Sequence, residues 1–116
     1  MNEEIKKIIE ENPLALATIN KKGEPDIIAV ASVKLKDNKI IITDNYMKTT
    51  IENIEYNPNI SLVGWNKKME GYNIRGIAEY FIKGAWIDYV KSIPENKDEP
   101  CKGAIVIEIK QYKKSK

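Results

Sequence analysis

Along the first thirteen residues the spacing of isoleucines predicts a helix. Ile5, Ile8 and Ile9 share one helical face over residues 2–12, Glu3 and Glu4 sit in the first turn, and Pro13 ends the element. The period then changes. Residues 14–20 (LALATIN) alternate as a strand does, and Lys21-Lys22-Gly23-Glu24 reads as a hairpin turn. A second strand over 26–35, a tight turn at Lys36-Asp37-Asn38 and a third strand over 39–43 follow. A helix from Thr50 stops at Asn57, because the residue before a proline, here Pro58, is held away from helical backbone angles. Strands over 59–65 and 72–82 come next, then a short helix marked by Ala85, Trp86, Tyr89, Val90 and Ile93. A charged loop over 94–100, a sixth strand over 103–110 and a basic, solvated tail over 111–116, with Lys113, Lys114 and Lys116, complete the pattern. Six strands with short helices and no β-α-β alternation predict a mostly β, antiparallel barrel. No internal repeat and no second domain is visible, so residues 1–116 read as one domain.

Composition narrows the chemistry more than the fold. Apolar residues make up 42% and charged residues 31% of 116, a mixture that folds around one core without staples. No apolar run reaches the ~20 residues that cross a bilayer, and the acidic start shows no secretory signal. One cysteine, Cys101, forms no internal disulfide, is expected to be a small buried or half-buried residue, and suits a reducing cytoplasm. The chain has no histidine, which excludes Ser-His and Cys-His pairs and histidine metal sites. A net charge of +2 does not imply a polyanionic partner.

The segment from Lys39 to Glu55 (KIIITDNYMKTTIENIE) is the densest in candidate chemistry. A strand runs into a polar turn, and Lys48, Thr49 and Thr50 open a helix. Thr49 and Glu52 have capping-box spacing. A helix start carries unpaired N–H donors and partial positive charge, and a lysine ahead of it adds a full one. Two readings fit: a capped helix after a strand, or a phosphate clamp. Asn53 lies one turn beyond Thr49, placed either towards the same anion or as a surface asparagine. Arg75 in its strand suits a salt bridge or a planar anionic ligand. Trp65 and Trp86 read as core or interface aromatics. A rival of another class interleaves Trp65, Lys67, Lys68, Tyr72 and Arg75 as a single-strand nucleic-acid surface on a small barrel, although such modules carry more positive charge than this one.

The order of these segments resembles a known family. Leu14–Asn20 followed by Gly23-Glu24-Pro25, Ile40–Thr43, Lys48-Thr49 with Asn53-Ile54, Asn57–Val63, Ile74–Glu79 and Lys102–Ile107 are similar to the elements of the FMN-binding split β-barrels related to pyridoxamine 5′-phosphate oxidase. The likeness covers roughly residues 10–110 and is strongest to the small FMN-binding proteins. It implies a six-stranded, Greek-key split barrel that forms a homodimer with FMN at the interface. By position, Lys48 and Thr49 become phosphate ligands. Thr43, Asp44, Asn45, Tyr46 and Met47 line the ribityl chain and ring, and Ala29, Val30, Ala31 and Ser32 present backbone to the flavin. Asn53 and Arg75 are further candidates, and Trp65 is a candidate to reach the ring from the partner subunit. The implied function is an oxidoreductase or electron carrier, with a deazaflavin (F420)-using reductase of the same fold as an alternative. Oxidation of pyridoxamine phosphate itself is not expected, because it needs a second phosphate site and Arg75 is the chain's one arginine. No catalytic residue, metal, nucleic acid or membrane partner is implied, and the redox partner is left open.

Overall fold

A computed structural model describes residues 3–115. Helix α1 (Glu3–Glu11) buries Ile5, Ile8 and Ile9, and β1 (Leu14–Ile19) alternates buried and half-buried positions as its sequence predicts. The expected second strand is two strands, β2 (Pro25–Val30) and β3 (Lys34–Lys36). The chain breaks between them at Ser32, which takes a left-handed backbone (φ 57°) that no strand accommodates. A two-residue turn at Asp37 and Asn38, both left-handed, leads into β4 (Lys39–Asp44). Helix α2 (Thr49–Tyr56), β5 (Asn59–Trp65), β6 (Gly71–Phe81), α3 (Ala85–Ser92), a 3-10 turn (Pro94–Asn96) and β7 (Gly103–Ser115) follow.

The seven strands form one antiparallel sheet in the order β2-β1-β5-β6-β7-β4-β3. Its two edges, β2 and β3, are joined by residues 31–33, so the sheet curls back on itself and stays split there. The predicted fold therefore holds with seven strands rather than six. The core lies inside the curl, where Ile5, Ile8 and Ile9 of α1 meet Leu14, Leu16, Ile40, Ile42, Ile74, Ile105 and Ile107. A second apolar cluster lies outside, where Ile87, Val90 and Ile93 cover Ile41, Ala104 and Val106. β4 is thus buried on both faces, which explains its unbroken Ile-Ile-Ile. No helix among the described residues is long and apolar enough to cross a membrane.

The basic tail is corrected by the structure. Residues 111–115 are strand, paired with β6 from Gly71 to Arg75, and Lys114 meets Glu4 at 2.8 Å. Exposed lysines on a long hairpin edge keep strand geometry because the backbone pairing holds them. Lys116 lies outside the described residues.

The β1–β2 and β5–β6 hairpins turn in the same way. Asn20 Oδ1 accepts from the backbone N–H of Lys22 (2.9 Å) and Glu24 (3.0 Å), and Asn66 Oδ1 accepts from Lys68 (2.9 Å) and Glu70 (3.1 Å). Each asparagine also donates to the following glutamate at 3.0 Å. The fourth residue is left-handed in both, Gly23 at φ 77° and Met69 at φ 63°. Only the second hairpin carries a side chain there. Met69→Gly should therefore raise unfolding stability by up to ~1 kcal/mol, since a left-handed L-residue is strained by about 1–2 kcal/mol, partly offset by glycine's greater chain entropy. Urea titration measures it, and no change would mean that this turn relaxes freely around Met69.

Candidate functional site

The site is built on the segment from Thr43 to Thr50. Asp44 ends β4 with its carboxylate almost fully buried at 1% exposure. Its Oδ2 accepts the Tyr80 hydroxyl at 2.5 Å, and its Oδ1 accepts the Met47 backbone N–H at 2.8 Å. The second bond closes a side-chain turn that bends the chain from strand to helix. The two residues just before β7 clamp the same loop. The Lys102 N–H donates to the Asp44 carbonyl (2.8 Å), Lys102 Nζ to the Met47 carbonyl (3.0 Å), and the Cys101 N–H to Asn45 Oδ1 (2.9 Å). Thr43 is tied from the outside, its hydroxyl accepting Asn96 Nδ2 at 2.9 Å. Gly103 leaves room for the Tyr80 ring, which a Cβ at that position would strike. Burial and the Asp44 carboxylate push the Tyr80 hydroxyl well above its ordinary range, because ionisation would bring two negative charges together.

This turn decides where α2 begins. Lys48 is the N-cap, without a side-chain cap hydrogen bond, and Thr49 is already the first helical residue. The predicted capping box between Thr49 and Glu52 is therefore not formed. The first backbone donor with a helical acceptor is Glu52, which reaches the Lys48 carbonyl at 3.0 Å. The N–H groups of Thr49, Thr50 and Ile51 have no acceptor among the described residues.

Lys48, Thr49 and Thr50 stand at a cleft of about 580 Å³ between β2, the end of β4 and the start of α2. Ala29, Val30, Ala31, Thr43, Asn45, Tyr46, Met47, Lys48 and Thr49 line it, joined by Ile28, Ile42 and Thr50. Nine candidates from two separated segments thus share one concavity. Its size and mixed lining are those of a small-molecule site. Ser32 adjoins Ala31 at the strand break.

Other candidates go elsewhere. Asp44 follows the cleft in sequence but turns its carboxylate to Tyr80, so it shapes the loop instead of lining the cavity. Asn53 is neither aimed at an anion nor on the surface. It is 5% exposed and its Nδ2 donates to Thr18 Oγ1 (3.0 Å) and Asp26 Oδ2 (2.8 Å), fastening α2 to β1 and β2. Arg75 is exposed on β6 with no ion pair among the described residues, and the cleft of this chain does not include it. Trp65 ends β5, 40% exposed and outside the cleft. The rival nucleic-acid surface loses a ring, because Tyr72 is buried in the core against Tyr112. Tyr80 and Lys102 went unmarked in the sequence. Tyr80 had a signal, its place on the inward row of β6 after Ile74, Gly76 and Ala78; Lys102 had none.

Comparison with known proteins agrees with the fold. The chain belongs to the pyridoxamine 5′-phosphate oxidase family, which it matches over residues 1–116. It is 32% identical over 114 residues to an uncharacterised protein of Methanocaldococcus jannaschii, covering 94% of this chain and 76% of that one. The crystal structure of HupZ from Group A Streptococcus superposes with a TM-score of 0.91 at 26% identity, covering 98% of this chain and 93% of HupZ. An FMN-binding protein from Syntrophomonas wolfei has the same fold at 15% identity (TM-score 0.80; 98% and 85% covered). So does an F420 reductase at 17% (TM-score 0.75; 97% and 98% covered). The structures that share this fold thus include an FMN-binding protein and an F420 reductase.

The buried Asp44–Tyr80 pair makes a prediction about the site's scaffold. Tyr80→Phe removes one of two donors to a buried carboxylate and should cost about 1.5–3 kcal/mol, the scale of a hydrogen bond to a charged group. Because folding raises the Tyr80 pKa, its contribution is fully present below its ordinary value of 10 and is lost as pH rises through the folded value. Denaturation curves should show an alkaline loss of stability in wild type that Tyr80→Phe lacks in part. Identical alkaline profiles would disprove the coupling.

Proposed function

We propose that the protein is a cytoplasmic, homodimeric flavoprotein that binds FMN non-covalently in the cleft and serves as an oxidoreductase or electron carrier. The observation that carries the reading is the uncapped start of α2, where Lys48 lines the cavity together with Thr49 and Thr50, whose N–H groups have no acceptor among the described residues. A phosphate supplies the acceptors they lack and meets the positive end of the helix. Lys48 and Thr49 hold it, with the hydroxyl of Thr49 free for the ligand because it caps nothing. Thr43, Asn45, Tyr46 and Met47 then lie along the ribityl chain. The backbone of Ala29, Val30 and Ala31 faces the ring, where small side chains allow close approach. FMN, when bound, supplies the hydride and electron chemistry. The chain's own part is to orient the cofactor, and the clasped 44–48 loop sets the position of the helix start that would meet its phosphate.

The fold leaves the cleft open on one side. Ala29 and Ala31 are exposed on its β2 wall, and Ile27, on the same strand, is 68% exposed. A second copy covering this edge would complete the cavity and shield its apolar wall.

The test is a visible spectrum followed by two titrations. The purified protein, or the protein with added FMN, should show oxidised-flavin bands. Lys48→Ala should weaken FMN binding about 10- to 100-fold, since a charge-assisted hydrogen bond is worth ~1.5–3 kcal/mol. Riboflavin, which lacks the phosphate, should bind wild type and variant alike. Equal weakening of both ligands would make Lys48 a structural residue. Failure to bind either, with binding of a deazaflavin instead, would replace FMN as the cofactor.

A further inference from the structure

A second concavity, of about 700 Å³, runs along the flank of α2. The helix walls it on one side and the β1–β2 hairpin, from Asn20 to Asp26, on the other. Thr49, Glu52, Asn53 and Tyr56 reach it at the i, i+3, i+4 and i+7 spacing of one helical stripe. Thr49 is the residue it has in common with the cleft.

The floor of this cavity accepts hydrogen bonds and offers none. Asn53 there is 5% exposed, and its amide nitrogen is used twice, towards Thr18 Oγ1 at 3.0 Å and Asp26 Oδ2 at 2.8 Å. Chemistry fixes the orientation of this amide, because an ionised carboxylate only accepts and must meet the nitrogen. The Asn53 oxygen is left without a donor among the described residues. No side-chain oxygen or nitrogen among those residues is at once enclosed and unpaired, so this oxygen opens on the cavity that Asn53 lines. Asp26, half-buried beside it, spends one carboxylate oxygen on Asn53 and keeps Oδ1 free.

The charge above the floor has the matching sign. Four carboxylates line the cavity (Glu24, Asp26, Glu52 and Glu55), against two lysines, Lys21 and Lys22, on the exposed hairpin turn. Glu55 and Tyr56 lie at the C-terminal end of α2, where a helix carries partial negative charge, and α2 has no basic residue in its last turn to offset it. The Tyr56 ring, 54% exposed, adds a face on which an ammonium group is attracted. An anion would meet bare acceptors at the floor and carboxylates around it. A metal ion is a poor fit as well, since no three carboxylates among the described residues converge to hold one. The acceptors are strung along the groove, which suits a long cation better than a point charge.

We propose that this cavity binds a linear aliphatic amine with two or more ammonium groups, one donating to Asn53 Oδ1 and Asp26 at the floor and another held by Glu52 and Glu55. Those two glutamates are neighbours on the helix, about 5–6 Å apart at Cβ, and so converge on one ammonium group. The methylenes between the charges lie against the Tyr56 ring and the lysine stems. None of the groups named as donors or acceptors belongs to the phosphate site, so the proposal is independent of the flavin reading.

The experiment is a ¹⁵N NMR titration of the full chain with putrescine, a linear diamine, at ~0.15 M salt, where diffuse surface attraction is screened beyond about 8 Å. The Asn53 side-chain amide and the backbone amides of Asp26 and Glu52 should shift together along one saturating curve. Butanediol of the same chain length, which lacks the charges, should leave them in place, and so should magnesium chloride at equal ionic strength. Asp26→Asn, which keeps an acceptor for Asn53, should weaken putrescine about tenfold or more through loss of a charge-assisted hydrogen bond. Glu55→Gln, on the exposed helix flank, should weaken it about threefold and carries the test if circular dichroism shows Asp26→Asn to be unfolded. Absence of a saturating shift, equal shifts with butanediol or magnesium, or folded variants that bind putrescine like wild type would overturn the proposal. Lys48→Ala, which tests the phosphate site, should leave putrescine binding unchanged.

Discussion

A buried carboxylate governs the geometry of the site. Asp44 is removed from water, and an unpartnered carboxylate there would cost several kcal/mol. It is held by the Tyr80 hydroxyl on one oxygen and by the Met47 N–H on the other. The first bond ties β4 to β6 across the intervening β7, and the second fixes the loop into α2. Because one group makes both, the helix start cannot shift without unburying a charge. Lys102 adds a third constraint by bonding the carbonyls of Asp44 and Met47. The start of α2, whose first two residues line the cleft, is thereby fixed in place before any ligand arrives, and preorganised donors lose little freedom on binding.

The cleft itself is a consequence of incomplete closure. The sheet's edges meet at residues 31–33, and the left-handed Ser32 lets the chain cross from one edge to the other. β2 therefore has a hydrogen-bonded neighbour on only one side, and its other side faces α2 and the end of β4. Inside the curl, α1 supplies isoleucines that fill the barrel, and Val30 and Ile42 belong both to that core and to the wall of the cleft.

Much of this was legible in the residues. The alternation in Leu14–Ile19 and the isoleucine spacing in α1 declare their faces, because burial on one side leaves a periodic trace. The nine cleft residues were legible through the ordered likeness to a family, since each segment alone is ordinary. What failed was what depends on distant partners. Asn53 is buried by Thr18 and Asp26, which lie 35 and 27 positions away, and nothing near it in sequence announces them. The split between β2 and β3 was hidden because Ala-Val-Ala-Ser-Val has strong strand character throughout. Residues 111–115 looked like a solvated tail because their lysines do face solvent, although the backbone is paired. The capping box failed by one residue, because Asp44 sets the turn and makes Thr49 helical.

The uncapped start of α2 is the proposed phosphate site, and amide NMR observes its donors directly. In a ¹⁵N-labelled sample titrated with FMN and separately with riboflavin, the Thr49, Thr50 and Ile51 amide protons should move strongly downfield with FMN and little with riboflavin. That pattern is the signature of new hydrogen bonds to an anion. If FMN binds, as its own absorbance or fluorescence would show, while these three amides stay where they are, the phosphate lies elsewhere and the account is wrong.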